Sequence, residues 1–549
     1  MPEFYHDQIR NLLIYRNTSQ FLTDQLRQAI PEAREINPSS PNGYAGQAVK
    51  YLAVPRNLHS CQVLRHFNYP VPPVLTDLNY SWPRHPSIGH PYESQKLTTN
   101  FMILHPRSFV LSDMGVGKTL STLWAADAVM RMHKPGTCRA LIVCPLSIMQ
   151  RVWSDGIFKN FLGGRTVQIC HGDAAHRSRA LSAPADFYIV NFDGVGVGAH
   201  TRKRFELDGF SKLLAERSDI RIAIVDEASA YKDSTTKRHR IARQVFGKKD
   251  YLWLLTGTPT PNAPTDAYGL AKLVNNAFGQ SKQSFQMATM YQIAPNSFKW
   301  VPRKDGYDKA RALLKPSIRF AISDVWDGPE LTTQQREVEL TAEQKKLMAD
   351  LKKDFVVTVK SGAAISAVNE AAARIKFVQI SLGAIYDQNH KVHPIDAGPR
   401  HAELTDVLEQ APGKSLIFCP LTSVINIIYS NIKKKWKTAI VNGEVSQNQR
   451  SEIFSEFQDG DLRIIIADAA TMAHGLDLYA ARTVIWFGPT EKPELYAQAN
   501  ARAMRPGQKF PVTVVQLVSN PLEREIFRRL ENNLALQGAL LDLVKANAL

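Results

Sequence analysis

Residues 108–119 read Ser108-Phe109-Val110-Leu111-Ser112-Asp113-Met114-Gly115-Val116-Gly117-Lys118-Thr119. A short apolar run ends in a polar loop with two glycines and a lysine. A helix is expected directly after it, over Thr119–Met130, because Leu120, Leu123, Trp124 and Ala128 recur at the spacing of one helix face. A glycine-rich loop between a strand and a helix N-terminus is a phosphate cradle. Gly115, Val116 and Gly117 turn backbone N–H groups toward the phosphates, Lys118 neutralises the β/γ charge, and Thr119 offers a hydroxyl to Mg2+. The expected ligands are a nucleoside triphosphate and Mg2+.

Outward from this loop, short β-branched runs alternate with helical patterns in two blocks, as in parallel α/β sheets. Expected strands of the first block are Ser108–Asp113, Ala140–Pro145, Thr166–Cys170, Phe187–Phe192, Ile222–Glu227 and Tyr251–Gly257. Those of the second are Ser415–Cys419, Thr438–Asn442, Arg463–Asp468, Thr483–Gly488 and Val512–Val518. Their runs are nearly continuous rather than alternating, which implies strands covered on both faces. The fold class is therefore α/β, with two parallel-sheet lobes in tandem, helical insertions and a small N-terminal accessory region. Boundaries are expected at 1–90 for the accessory region, 91–275 for lobe 1, 276–400 for helical insertions and linker, 401–520 for lobe 2, and 521–549 for a C-terminal helix. Within the linker, Thr341–Lys360 and Ala363–Ile380 read as helices.

Composition narrows the class. At 549 residues the chain suits three or four domains. Its 44% hydrophobic and 21% charged content is that of a soluble globular protein, and it has no run of 18 apolar residues that would span a membrane. The first residues lack the layout of a secretion signal. Cys61, Cys138, Cys144, Cys170 and Cys419 are scattered and never in CxxC spacing, which argues for a reducing compartment and against a zinc site. A cytoplasmic location is expected. Residues 1–90 hold 8 Lys/Arg and 6 Asp/Glu, so +14 of the +16 net charge falls on residues 91–549. A surplus placed there suits a polyanionic partner such as nucleic acid.

Further motifs complete a nucleotide site. Ile222-Ala-Ile-Val-Asp226-Glu227 is an apolar strand ending in two acids. Asp226 is set to hold Mg2+ through its water shell, and Glu227 to orient and deprotonate an attacking water. Leu255-Thr256-Gly257-Thr258-Pro259 places small hydroxyls at the next strand tip. Gln95, upstream of the cradle, carries an amide suited to an adenine edge. Far along the chain comes Gln498-Ala-Asn-Ala-Arg502-Ala-Met-Arg505-Pro-Gly507-Gln508. A helix over Pro493–Met504 would put Arg502 and Arg505 on one face, with Gln498 beside them. Arginine's planar fork stays charged and spans two oxygens of a γ-phosphate. Ala469–Leu478, with Thr471 and a Gly-Leu-Asp turn, reads as a backbone-contacting loop, and His474 as structural.

In this order the motifs resemble superfamily 2 helicases, and among them the Swi/Snf-like DNA translocases. The matching segments are DMGVGKT, LIVCPLSIMQRVW, IVNFDGV, IVDEASAYKD, LLTGTPTPN, SLIFCPLTSV, VNGEVSQNQRSEIFSEF, ADAATMAHGLDL and QANARAMRPGQ, over roughly 91–270 and 401–520. Thr122-Leu-Trp124-Ala-Ala and the compact insertions are similar to the short bacteriophage and prophage branch, which would put the protein in a bacterial host cytoplasm. The resemblance implies two RecA-like lobes, ATP contacts at Gln95, Gly115, Gly117, Lys118 and Thr119, catalysis by Asp226 and Glu227, arginine fingers at Arg502 and Arg505, and support from Lys232. It also implies DNA, with duplex favoured, near Pro145 and Ser147, Asn191, Thr258, Pro420 to Thr422, and Thr471. Ser229 departs from the usual His of the acidic box, and Pro506 from the usual Ile or Gln.

The expectation that follows is an ATP-dependent DNA translocase. A strand-separating, branch-migrating or annealing helicase stands beside it, as do an RNA-directed motor and a catalytically silent DNA-binding scaffold. No separation wedge or aromatic RNA platform is legible, and every catalytic position is filled.

Overall fold

Two stretches of apolar strands close into two all-parallel sheets. The computed structural model describes residues 4–7, 12–16, 20–36, 51–72, 80–83, 90–199, 206–294, 300–354, 356–358, 364–366, 370–472 and 478–532. The first sheet is built from β1 (Arg107–Val110), β2 (Arg139–Cys144), β3 (Val167–Ile169), β4 (Phe187–Asn191), β5 (Ile220–Val225), β6 (Tyr251–Leu255) and β7 (Ser317–Ile318), in the order β7-β1-β6-β5-β2-β4-β3. The second is built from β8 (Leu331–Glu337), β9 (Lys414–Phe418), β10 (Thr438–Val441), β11 (Ile464–Ala467), β12 (Ala481–Trp486) and β13 (Val512–Val518), in the order β8-β13-β12-β9-β11-β10.

Register lines up apolar residues in rows across each sheet. Trp253 on β6 pairs with Ser108 and Ile224, and Ile142 on β2 pairs with Ile224 and Ile189. Successive side chains point to opposite faces. Ala140, Ile142 and Cys144 accordingly enter one apolar cluster, while Leu141 and Val143 enter another on the far side. The second lobe repeats this, with Leu416 and Phe418 on one face and Ile417 and Cys419 on the other. Both sheets are covered on both sides, as continuous apolar runs require.

β7 and β8 lie within 276–400, which the sequence reads as helical insertions and linker. β7 has just two residues, and β8 reads Leu-Thr-Thr-Gln-Gln-Arg-Glu, an edge strand exposed along most of its length. Neither shows an apolar run, because one face or more of each meets solvent. The expected helix Thr341–Lys360 is Ala342–Asp354, followed by Val356–Thr358 paired antiparallel with Ala364–Ser366. The next helix is Glu370–Leu382, not Ala363–Ile380. The Val-Val-Thr run, stiff at χ1, suits a strand better than a helix end.

The N-terminal residues form a separate antiparallel sheet, ordered Phe4–Asp7, Leu12–Arg16, Tyr51–Pro55, Arg34–Ile36, with helices Gln20–Ala29 and Leu58–His66. Leu13, Tyr15, Val54 and Leu64 belong to the same apolar cluster as Phe101, Trp124 and Ile142 of lobe 1. Gln62 Nε2 also donates to the Ile103 carbonyl at 2.9 Å. At the other end, residues 521–532 are helical. Glu523 of that helix pairs with Arg400 (2.6 Å), the two being 0% and 1% exposed. Arg400 Nη2 also donates to Ser519 Oγ at 2.8 Å.

Removing one partner of a buried ion pair strands the other. Glu523→Ala should therefore destabilise the second lobe by about 3–5 kcal/mol in denaturant unfolding. A loss below about 1 kcal/mol would show that Arg400 finds another partner.

Candidate functional site

The central strands of lobe 1 are adjacent in the order β1-β6-β5, so the loops at their carboxyl ends converge. The loop after β1 leads into helix α2 (Lys118–Arg131), and helix α1 (Glu93–Leu104) packs beside it. Gly115 and Gly117 both have φ of +86°, a left-handed value that a side chain resists. At Gly117 a Cβ would stand 2.1 Å from Gln95 Nε2. Gln95 is buried, its Oε1 accepts the Tyr92 N–H at 2.9 Å, and its Nε2 has no hydrogen-bond partner among the described residues. The amide's acceptor end therefore caps α1 while its donor end stands over the phosphate loop.

Lys118 Nζ donates to the carbonyls of Ser112 (2.8 Å) and Asp113 (2.9 Å). Burial pulls its pKa below the ordinary lysine range, and the carboxylates of Glu227, Asp226 and Asp113 act in the opposite direction. The loop is braced from β7. Phe320 N–H donates to Ser112 Oγ (3.0 Å), Ile322 N–H to Asp113 Oδ2 (3.2 Å), and Arg319 pairs with Asp113 Oδ1 (3.2 Å). Sequence reading missed this brace, since it comes from a segment more than 200 residues downstream in a stretch without a motif.

Asp226 and Glu227 follow β5. Asp226 Oδ2 accepts from Trp153 Nε1 (3.1 Å) and Oδ1 from the Glu227 N–H (3.0 Å). Trp153 was also missed as a site residue, although it closes the quoted segment LIVCPLSIMQRVW. Burial first, and the Glu227 charge second, push the Asp226 pKa up to about 6. Glu227 adopts a left-handed φ of +50°, a strained value of the kind found at functional sites. Its pKa is raised by burial and opposed by Lys118, Arg502 and Arg505. Lys118 and Glu227 keep partial solvent contact. Thr256 N–H bonds to Val110 O (3.1 Å) and Thr258 N–H to Thr256 Oγ1 (3.1 Å), which seats the threonine loop against the phosphate loop.

The second lobe brings the arginines. Helix α5 (Pro493–Asn500) carries Gln498, which is buried with its Oε1 unpartnered among the described residues. The helix ends before the arginines, so they do not share a helical face as expected. The N–H groups of Arg502 and Ala503 bond three residues back, to Ala499 and Asn500. Pro506 has no N–H, and Gly507 at φ +114° turns the chain away. Gln508 Nε2 donates to the carbonyls of Tyr479 (2.8 Å), Ala481 (2.7 Å) and Ala503 (3.2 Å), holding this turn in shape. Arg502 is buried, and Arg505 Nε donates to Ala501 O at 3.0 Å. The turn reaches the phosphate loop. A Cβ on Gly115 would stand 3.6 Å from Pro506 Cδ and 3.9 Å from Arg505 Cγ.

The other candidates sit at strand ends. Pro145 is buried and Ser147 exposed after β2, while Asn191 at the end of β4 accepts from Arg177 (3.1 Å) through Oδ1. Thr258 is buried and Thr422 is exposed at a helix start. Thr471 Oγ1 already donates to Val441 O (3.0 Å) and Asp468 O (2.8 Å). His474 and the Gly-Leu-Asp turn lie outside the described residues.

The SNF2-related domain matches residues 92–390, more than half of the chain, and the helicase conserved C-terminal domain matches residues 400–507. The chain belongs to the SNF2-related helicase family. It is 24% identical over 475 residues to protein p41 of Acyrthosiphon pisum secondary endosymbiont phage 1, covering 83% of this chain and 98% of that protein. It is also 24% identical over 468 residues to chromodomain-helicase-DNA-binding protein 8 of Xenopus tropicalis, covering 79% of this chain but 21% of that one. Among solved structures, the Sulfolobus solfataricus SWI2/SNF2 ATPase core in complex with dsDNA matches with 21% identity and a TM-score of 0.38, over 84% of this chain and 94% of that one. The similarity of the SNF2-related chain to the phage protein agrees with the branch its sequence resembles. No helix among the described residues is long and apolar enough to cross a membrane.

Asp226 would hold a divalent cation only as the carboxylate. ATP turnover by this SNF2-related chain should therefore fall as pH drops through about 6. The Trp153 N–H favours the charged form, so Trp153→Phe should move the acidic limb of kcat/KM upward. An unmoved limb would remove Trp153 from control of Asp226.

Proposed function

We propose that this chain is an ATP-driven translocase acting on duplex DNA. The observation that carries the reading is the approach of Arg505 and Pro506 to Gly115 across the crevice between the lobes. One lobe supplies the lysine and both acids, the other the guanidinium groups, and Glu227 feels the charge of Lys118, Arg502 and Arg505 together. Such an arrangement suits phosphoryl transfer to water, which relies on positioning and charge stabilisation. Two buried polar atoms without partners among the described residues, Gln95 Nε2 on one lobe and Gln498 Oε1 on the other, suit a polar ligand.

Thr119 and Asp226 are the residues that would hold Mg2+, and the bound cation supplies a Lewis acid toward phosphate oxygens. Gly115 and Gly117 let backbone N–H groups approach the phosphates, since any side chain at Gly117 would meet Gln95. Glu227 orients water and accepts its proton. Arg502 and Arg505 stabilise charge as the transferred group departs, so hydrolysis weakens the hold of one lobe on the other. Lobe movement reaches DNA through the strand-end loops near Ser147, Asn191, Thr258, Thr422 and Thr471. A +14 charge over residues 91–549 and the name of the DNA-binding Xenopus relative support nucleic acid as the track.

Titrating ATPase activity against duplex DNA, single-stranded DNA, forked DNA and RNA tests the reading. Duplex should stimulate most; equal stimulation by RNA would overturn the DNA assignment, and a requirement for forks would favour strand separation. Glu227→Gln should lower kcat by about 100- to 10,000-fold with DNA binding intact. Arg505→Ala should lower kcat about 1,000-fold while nucleotide affinity changes little. Unchanged kcat in Arg505→Ala would remove the cross-crevice role.

A further inference from the structure

Helix α3 (Gly209–Glu216) and helix α4 (Lys237–Phe246) lie side by side on one outer face of lobe 1. α4 contains Lys237, Arg238, Arg240 and Arg243 and no acid. Its inner face, with Ile241, Ala242, Val245 and Phe246, is buried in the core. Lys237, Arg240 and Gln244 follow at i, i+3 and i+7 and form an exposed stripe, with exposed Arg243 flanking it.

A basic helix face is often merely solvated, and its neighbours usually neutralise it. Here they are engaged elsewhere. Asp193 is paired with Arg238 (2.6 Å), Asp233 with Lys282 (3.1 Å), and Asp250 with Arg221. Lys237, Arg240, Arg243 and Lys248 form no ion pair among the described residues. The acids that remain nearby are Glu216, beside Lys212 and Lys248 on a groove of about 360 Å3, and Glu206 and Asp208, which flank Leu207 of the same groove.

The stripe starts next to the candidate DNA path. A second groove, of about 420 Å3, is lined by Phe192, Asp193, Thr236, Lys237 and Arg238, and directly follows Asn191 at the end of β4. From there α4 runs back to the amino ends of the strands, where the carbonyls of Phe246 and Lys249 accept from Arg107 at the start of β1. Resting on the translocase reading, we propose that the outer face of α4 is an auxiliary docking surface for the backbone of duplex DNA, engaging the segment that extends beyond the crevice. Lys and Arg side chains meet phosphates without reading bases. Stacking of unpaired bases is not offered, because the aromatic at this end, Phe192, lies under the Arg238 guanidinium, 5.8 Å from the ring centroid.

The test uses the full chain carrying Lys237→Gln, Arg240→Gln and Arg243→Gln, three exposed positions outside the nucleotide site. Binding is followed by fluorescence anisotropy over a salt series, on duplexes of about 12 and about 40 base pairs (roughly 40 and 140 Å at 3.4 Å per pair). ATP hydrolysis without DNA should be unchanged. Affinity for the long duplex should fall about tenfold, and the slope of log K against log salt should shrink by about 2–3, at about 0.9 for each lost phosphate contact. Affinity for the short duplex should stay as in the parent. The charge-keeping set Lys237→Arg, Arg240→Lys, Arg243→Lys should restore the long-duplex affinity. Equal affinity and slope on the long duplex, or an equal loss on both lengths, would overturn the docking surface. Failure of the parent chain itself to bind duplex would instead overturn the translocase reading.

Discussion

Concentrated negative charge in a cleft needs cations from more than one direction. In this chain the requirement is met by two separately folded sheets. Neither completes the site alone, since Lys118, Asp226 and Glu227 belong to one and Arg502 and Arg505 to the other. The near contact of the arginine turn with Gly115 is the geometric expression of that division. It also explains why small or ring-closed residues, Gly115 and Pro506, stand where the lobes touch. A bulkier pair would hold the cations away from the carboxylates they influence.

Burial and charge work against each other inside this crevice. Asp226 and Glu227 are both driven toward the neutral form by their surroundings, while the basic groups pull them toward ionisation. Lys118 is subject to the mirror-image conflict. Each group is thus poised rather than locked, and an added charge nearby would decide its state. Asp226 gains further control from the Trp153 indole, and the phosphate loop from the Arg319–Asp113 pair.

The apolar runs of β1, β2, β5, β6, β9, β11, β12 and β13 made the twin-sheet architecture legible, because strands shielded on both faces carry a continuous signal. Family membership was legible from motif order. β7 and β8 were not, being short or solvent-facing, and the N-terminal sheet was hidden by short strands and frequent prolines. At the site, the ends of strands identified the lysine and acids. The ending of α5 was misjudged, as good helix formers at Ala501, Ala503 and Met504 mask a stop set by Pro506, Gly507 and the bonds of Gln508. Trp153 and Arg319 act through tertiary contacts, which leave no local pattern.

The shared apolar cluster between the N-terminal sheet and lobe 1 has a mechanical corollary. A unit welded by a common interior cannot lag behind when its support swings. Whatever surface that sheet presents is carried with the first lobe. An added small domain would then move with the first lobe and need no hinge of its own.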